Sequence, residues 1–154
     1  MTTGSRQGGL TWQGSGAGGY APDVLADPRC MWARKRELPV QVRFTAHDRI
    51  VDTREGPVQA RAGDAIVTGA FGEHWPVRRA RFADKYREIA PGRFVSLPLK
   101  VLAIAMDAPF AVLLADGGTT LNGKAGDYLV DYGDGTLGIV AAAIFAATYD
   151  VETN

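Results

Sequence analysis

The chain has 154 residues, with 17 Lys and Arg against 17 Asp and Glu, so its formal net charge at pH 7 is zero. That length accommodates one ordinary domain or two very small ones, and a hydrophobic content of 46% excludes a disordered chain. The single cysteine, Cys30, excludes an internal disulfide and a cysteine-based zinc site, and it is typical of a reducing compartment. No apolar run reaches the roughly 18 residues of a membrane span, and the N-terminus lacks a signal-peptide pattern. We therefore expect a cytoplasmic protein without a membrane partner.

The neutral total hides an uneven distribution of charge along the chain. Residues 31–91 contain twelve Lys or Arg and eight Asp or Glu, a net charge of +4. Residues 92–154 contain three Lys or Arg and seven Asp or Glu, a net charge of −4. The zero total argues against a generally basic nucleic-acid binder. The asymmetry predicts a surface dipole and directs the search for a ligand or partner to the basic half.

The first 22 residues are rich in Gly, Ser, Thr and Gln. Such a segment buries too little apolar surface to offset its ordering entropy, so we predict a flexible or loosely docked tail over residues 1–22. Gly14, Gly16 and Gly19 form a literal G-x-G-x-x-G, but a dinucleotide fingerprint needs a buried strand before it and a helix after it. A turn is predicted to follow at Ala21-Pro22-Asp23 instead, so we predict no cofactor.

An internal repeat organises the rest of the chain. Residues 62–67, Ala-Gly-Asp-Ala-Ile-Val, recur as residues 125–130, Ala-Gly-Asp-Tyr-Leu-Val, at an offset of 63. The same offset continues without a gap and pairs Gly72 with Gly135, Val77 with Val140, Phe82 with Phe145 and Tyr86 with Tyr149. This similarity predicts two tandem copies, a basic unit over residues 23–91 and an acidic unit over residues 92–154.

Each copy is predicted to contain short strands followed by one helix. Alternating or apolar segments predict strands over 40–44, 58–62, 65–68 and 74–77 in the first copy, and over 101–106, 110–114, 128–132 and 137–140 in the second. Helix-forming residues predict helices over 78–88 and 141–149. The predicted fold class is α+β: two strand-rich repeats, each with antiparallel hairpins and one C-terminal helix, packed as a pseudo-twofold unit.

The two predicted helices differ in polarity. Arg78, Arg79 and Arg81 of the first correspond to alanine or isoleucine in the second, which is apolar almost all round. A single apolar stripe along the helix does not account for so many apolar residues. We therefore predict that the second helix is buried on more than one side, against the other copy or a second chain. A homodimer would provide the second chain. The paired Phe and Tyr residues are predicted to pin each helix onto its sheet, with the phenol tips near solvent.

The repeated segments carry a resemblance. Residues 124–130, Lys-Ala-Gly-Asp-Tyr-Leu-Val, followed by residues 145–150, Phe-Ala-Ala-Thr-Tyr-Asp, resemble the small bacterial and phage proteins named for a Pro-Gly-Asp-Tyr-Gly motif. Alanine stands where proline is usual in both copies, and Ala65 replaces the tyrosine in the first. The resemblance covers about residues 34–90 and 99–152. It implies the α+β architecture and a prokaryotic or phage origin, and it assigns no catalytic residue.

The repeated turn residues favour a structural explanation. Gly63 and Gly126 are predicted to adopt a positive φ or to allow a close backbone approach. Asp64 and Asp127 follow them and are suited to accept backbone N–H groups. No second carboxylate or histidine repeats beside either aspartate, so we predict no metal site.

Candidate binding residues cluster where the first copy passes from strand to helix: His74, Trp75, Arg78, Arg79 and Arg81. Arginines beside a helix N-terminus and a Trp face are suited to hold a phosphate and stack a base. The adjacent Glu73 and His74 point to opposite faces of a strand and form no dyad without a bulge. No nucleophile, phosphate-loop or metalloprotease motif is present, so no catalytic residue is assigned.

We therefore predict a non-enzymatic binding or interaction module. It would hold a nucleotide, another small anionic ligand or a protein partner through its basic first copy. One alternative is a small enzyme acting on a phosphorylated or nucleotide substrate with His74 and Glu73, which requires a carboxylate within hydrogen-bond reach of His74 in a pocket. Another is a prophage-associated accessory or structural protein without a ligand.

Overall fold

A computed structural model describes residues 10–114 and 118–152 of the chain. These residues are rich in strands and include short helices, which confirms the predicted α+β class. In chain order the elements are β1 (Leu10–Gln13), α1 (Pro22–Ala26), β2 (Met31–Lys35), β3 (Pro39–Phe44), β4 (Arg49–Thr53), β5 (Gly56–Ala60), β6 (Ala65–Thr68), β7 (His74–Val77), α2 (Arg79–Lys85), β8 (Tyr86–Ala90), β9 (Arg93–Ser96), β10 (Lys100–Ala105), β11 (Phe110–Leu113), β12 (Thr120–Gly123), β13 (Tyr128–Asp131), β14 (Leu137–Val140), α3 (Ala142–Thr148) and β15 (Tyr149–Val151).

The chain divides into two compact units. One is the continuous segment 35–99, and the other combines the residues before 35 with those from 100 onward. These limits differ from the predicted boundaries at 22 and 91, because β2 pairs with β10 and thereby joins the C-terminal part of the chain. We call segment 35–99, with twelve Lys or Arg and eight Asp or Glu, the basic unit. The other unit, with five Lys or Arg and nine Asp or Glu, is the acidic unit.

In the basic unit an antiparallel sheet has the strand order β7-β6-β3-β9-β8. One face forms a core with helix α2, and its buried side chains are Val42, Ala65, Val67, Val77, Phe82, Tyr86 and Phe94. The opposite face is covered only in part, by the β4–β5 hairpin, which contributes Val51 and Ala60 to a small cluster around Ile66. The basic unit therefore has one closed and one largely open sheet face.

In the acidic unit a second sheet has the order β14-β13-β10-β2-β15. Helix α3 covers one face through a core of Ala33, Val101, Ala103, Val130, Phe145 and Tyr149. A three-stranded sheet, β1-β11-β12, packs near β14, and helix α1 contacts β10. Both faces of this sheet are consequently covered, and most of the fully buried large side chains of the described chain lie here, among them Leu102, Ile104, Leu129 and Val112.

The two sheets share strand order and register. Ala65 pairs with Val77 in the basic unit, and Tyr128 pairs with Val140 in the acidic unit, each shifted by 63. Helices α2 and α3 keep the same shift. The fourth strand differs in origin: β9 follows helix α2, whereas β2 precedes its sheet in the chain. Residues at the same strand and register position are called corresponding residues below.

Residues 10–22 differ from the predicted flexible tail, whose residues 1–9 lie outside the described residues. Strand β1 pairs in parallel with β11, and the N–H groups of Gly16 and Gly19 donate to the carbonyls of Gly135 and Gly133 at 3.2 and 2.9 Å. A Cβ on Gly14 would lie 2.2 Å from the carbonyl oxygen of Gly135. Glycine permits this close backbone contact, and these hydrogen bonds act together with the burial of Trp12 and Ala21 to hold the segment.

The helices are shorter than predicted. Helix α2 ends at Lys85 because Tyr86 is extended, with φ −140° and ψ 149°, and begins β8. Phe82 and Tyr86 still stack, with ring centroids 5.1 Å apart. The phenol of Tyr86 is buried rather than near solvent as predicted, and this burial raises its pKa to about 12, partly opposed by a hydrogen bond from Trp75.

Within the single chain the second helix is not buried on more than one side, and its burial against a second chain stays a prediction. In α3, Ile144, Phe145 and Thr148 are buried, whereas Ala142, Ala143 and Ala146 are exposed. The exposed positions are all alanines, which favour the helix and require little burial. The apolar appearance of this helix in the sequence therefore reflects alanine, not a second buried face.

Candidate ligand-binding face

The Ala-Gly-Asp turn of the basic unit is hydrogen-bonded to the start of helix α2. Gly63 has φ +92°, a conformation that favours glycine. Burial alone would raise the pKa of Asp64, but hydrogen bonds from the Arg61 and Arg79 N–H groups and from the Arg78 guanidinium, at 2.9, 3.0 and 2.9 Å, outweigh it and lower that pKa. The aspartate thus joins the turn to the start of helix α2.

The corresponding turn in the acidic unit keeps part of this arrangement. Gly126 has φ +98°, and the buried Asp127 accepts the N–H of Lys124 at 3.1 Å. Alanine 141 occupies the place of Arg78, so the ion pair has no counterpart. Tyr128, the next residue of the motif, stacks on Phe145 with ring centroids 3.9 Å apart. The motif therefore joins a turn to the helix and its sheet in both units.

The three predicted arginines do not converge on one exposed site. Arg78 pairs with the buried Asp64 at 2.9 Å. The guanidinium of Arg79 lies over the ring of Phe44, 4.3 Å from its centroid. Arg81 is exposed further along α2. Arg78 and Arg79 are therefore engaged by groups of their own unit.

His74 and Trp75 lie on opposite faces of β7, since neighbouring strand residues alternate. The Trp75 side chain packs on the α2-covered core and bonds to Tyr86, so its ring is not free to stack on a base. His74 is exposed on the other face, where its Nδ1 lies 2.9 Å from the Thr68 hydroxyl. Glu73 instead accepts the Phe71 N–H at 2.9 Å. Of the predicted residues, His74 alone lies on the open face.

A row of polar side chains crosses that open face. Arg93 pairs with Gln41, Gln41 with Thr68, and Thr68 with His74, so four neighbouring strands each contribute one residue. Paired residues point to the same face, and adjacent strands lie about 4.8 Å apart, which makes the row roughly 14 Å long. Arg43 lies two residues beyond Gln41 on β3 and therefore points to the same face. We call these five residues the polar row.

The polar row is accessible and its cations are unengaged. Arg93, Gln41, His74 and Arg43 are exposed, and Thr68 is half-buried. No hydrogen bond, ion pair or ring contact within the described part of the chain engages the guanidinium of Arg43 or Arg93. Two free guanidinium groups beside a hydroxyl, an amide and an imidazole are suited to an anion with several oxygen atoms.

The corresponding row of the acidic unit has three apolar residues and one carboxylate, and all of them except the 37% exposed Trp32 are buried. It consists of Trp32, Leu102, Asp131 and Leu137. Asp131 is completely buried, and it accepts the N–H groups of Ala21 and Gly133 at 2.8 and 3.0 Å. Burial raises the pKa of Asp131 and the neighbouring Asp134 adds to the rise, against the effect of these hydrogen bonds. The N-terminal segment thus covers this row and is fastened to it.

The sequence contains a weak signal for the polar row. Strand β3 alternates Val40, Gln41, Val42 and Arg43, so its second face is polar, whereas Leu102 and Ile104 replace the polar residues in β10. Comparing the two copies strand by strand would have identified this face. Arg93 could not be placed, because β9 was not predicted. In residues 10–114 and 118–152 no group of three His, Cys, Asp or Glu side chains could hold a metal ion.

The fold and site define an α+β protein of two strand-rich units with one open polar sheet face. Residues 56–150 match the family described as PGDYG protein, and this match includes both Gly-Asp turns. The chain belongs to the PGDYG protein family. No curated protein and no solved structure matches it. Within the described residues, none of the helices is both long and apolar enough to cross a bilayer.

Proposed function

We propose that this chain is a non-enzymatic binding module whose basic unit holds an anionic ligand on the polar row. The observation that carries this proposal is the pair of exposed guanidinium groups, Arg43 and Arg93, on a sheet face that its counterpart buries. An exposed polar face on a unit of net charge +4 attracts anions from solution. A nucleotide, pyrophosphate or acidic peptide would satisfy the same hydrogen-bond donors.

Binding is favoured over catalysis by the surroundings of His74. Its bonded neighbour is the Thr68 hydroxyl, not a carboxylate that could orient it as a general base. Glu73 is held by the backbone of its own loop. The polar row also lies on an open face, where water would surround any reacting group. These features favour recognition of an anion over its chemical conversion.

We further propose that the two units are degenerate copies of one ancestral unit, packed about a pseudo-twofold axis. Their common strand order, register and turn hydrogen bonds support a shared origin. One copy would have gained a second covering sheet and lost its open face. A cytoplasmic location, a prokaryotic or phage origin and a homodimer stay predictions.

A thermal-shift screen tests the anion proposal. The chain is titrated with pyrophosphate, ATP and sulfate at low and high salt, because an exposed electrostatic site weakens as salt rises. We expect stabilisation by the polyanions at low salt, and loss of that effect in an Arg43→Ala/Arg93→Ala variant. The matched control is Arg54→Ala/Arg61→Ala, which removes the same charge from exposed positions outside the polar row. If both variants lose the stabilisation equally, the effect arises from net charge and not from the polar row. If no polyanion stabilises the chain at low salt, the anion-binding proposal is refuted.

A further inference from the structure

The two units differ by one strand. The β4–β5 hairpin of the basic unit corresponds to the β11–β12 hairpin of the acidic unit, with Val51 in the place of Val112 and Val58 in the place of Leu121. Val51 and Val112 are both buried, so the hairpins present the same face to their sheets. In the acidic unit β1 pairs in parallel with the outer edge of β11. Among the described residues nothing pairs with the outer edge of β4.

In the acidic unit, the N-terminal segment that contains β1 also covers the row of that unit's sheet that corresponds to the polar row. After β1, its backbone bonds to Gly135 and Gly133, and Ala21 donates to Asp131. The ring of Tyr20 then meets Trp32 edge-on, with centroids 5.1 Å apart. One extended segment thus adds a strand to the hairpin and crosses the row of the sheet below. The basic unit offers the same two surfaces, an unpaired strand edge and an open row.

The charges of the open surfaces determine the kind of segment that fits. Where the acidic unit has Trp32 and Leu137, the basic unit has Arg93 and His74, and β4 itself begins with Arg49 in the place of Phe110. An apolar segment such as residues 10–13, Leu-Thr-Trp-Gln, would leave the guanidinium groups of Arg93 and Arg49 without partners. No aromatic side chain belongs to the polar row, so it offers no stacking platform for single-stranded nucleic acid.

We propose that the ligand of the basic unit is an extended acidic peptide from a partner protein. It adds in parallel to β4, as β1 adds to β11, and places its carboxylates on Arg43, Arg93 and the neighbouring polar row. Backbone hydrogen bonds of the added strand provide affinity, and the carboxylate–guanidinium pairs provide selectivity for acidic sequences. This inference rests on the proposed anion-binding function and deepens it by naming the ligand class.

The test is fluorescence anisotropy with the full chain and a labelled peptide of about ten residues, a usual upper length for a strand, in which glutamate and valine alternate. One control peptide has lysine in place of glutamate. A second keeps the glutamates but carries N-methyl groups on alternate backbone amides, which removes strand hydrogen bonds without changing charge. We expect binding of the glutamate peptide, at least about tenfold weakening by N-methylation, and no binding of the lysine peptide.

The outcomes separate this inference from the function on which it rests. Equal binding of the N-methylated peptide would overturn strand addition while leaving the anionic face intact. Binding of pyrophosphate without binding of the glutamate peptide would overturn the peptide and keep the anion proposal. Failure of both at low salt would overturn both. Concentration-dependent dimerisation that is lost when the β4 edge is blocked by the Ile50→Pro substitution at an exposed position, with the fold retained by circular dichroism, would assign the edge to a second copy and overturn the peptide proposal.

Discussion

The carboxylate of Asp64 accepts the backbone N–H of Arg79 at 3.0 Å, which fixes the first residue of helix α2 to a turn fifteen residues earlier. Arg78 precedes the helix and makes no side-chain cap, so Asp64 supplies the missing acceptor from outside the helix. The same carboxylate accepts the Arg61 N–H within its own turn. Asp64 therefore links its turn to the helix, whereas Asp127 accepts an N–H within its own turn, and the hydrogen bond inside the turn is what the two aspartates share.

The first prediction compares the two motif aspartates by substitution with asparagine. Asp64→Asn removes the ion pair to Arg78 and offers an amide where an acceptor is needed, so we expect a loss of about 2–3 kcal/mol in the free energy of unfolding. The ion pair adds little beyond this, because Arg78 is 39% exposed and screened by water. Asp127→Asn should cost about 1 kcal/mol, since one backbone donor is involved. Urea unfolding measures both, and equal losses would contradict the link between turn and helix at Asp64.

The pH dependence of stability should also reveal Asp64. Its pKa in the folded chain is below the ordinary value of 3.8, so its contribution is complete above that pH and is lost as the pH falls through the folded value. Asp131 has a raised pKa in the folded chain, so it lowers the free energy of unfolding as the pH rises above 3.8. The difference between the wild type and Asp64→Asn isolates the first effect. It should shrink below about pH 4, and a difference that stays constant to pH 2 would show that this carboxylate is not stabilised by folding.

A third prediction concerns the glycine of the motif. Gly126 has φ +98°, so Gly126→Ala should cost about 1–2 kcal/mol although nothing would contact the added Cβ. Gly18 is the matched control, because its surroundings are equally open and its φ is not positive. Gly18→Ala should leave the thermal midpoint within about 1 °C or raise it slightly. If both variants lose stability equally, the cost arises from something other than the positive φ.

Tyr86 provides a fourth prediction. Its folded pKa of about 12, against 10.0 for an ordinary tyrosine, means that the folded chain binds more protons between these values, so stability falls as the pH rises above 10. Tyr86→Phe keeps the stacking on Phe82 and should remove one late-titrating phenol from the ultraviolet titration. Loss of the Trp75 hydrogen bond should cost about 1 kcal/mol. An unchanged late titration would mean that Tyr86 is accessible to base.

Much of the fold was predictable because repeated local patterns determine it. The Gly-Asp turns, the strands β6, β7, β13 and β14, and both C-terminal helices follow from alternation and the offset of 63. The composition of the N-terminal segment does not predict its docking, because backbone hydrogen bonds to Gly133 and Gly135 and the burial of Trp12 and Ala21 hold residues 10–21. Strand β2 is not predicted because its paired residues in β10 lie at least 66 positions further along the chain, so no local pattern indicates the pairing.

The candidate site was predicted only in part. The basic half and His74 were identified, because charge is visible in the sequence. Arg78 and Arg79 were selected for their place beside a helix, but their partners Asp64 and Phe44 come from other elements. The alternation of β7 places Trp75 on one face of the strand but does not show that this face is covered. Pairings between strands decide these contacts, and a single sequence does not display them.

Anion binding by the polar row of the basic unit is the function proposed for this chain. Its most direct test is a titration of the 15N-labelled chain with pyrophosphate at low salt, followed by backbone amide and side-chain resonances. We expect saturable shifts centred on Gln41, Arg43, Thr68, His74 and Arg93, with the corresponding residues Leu102 and Leu137 unchanged. Shifts centred on Arg79 and Arg81 of helix α2, or no saturable shift in either unit, would contradict it.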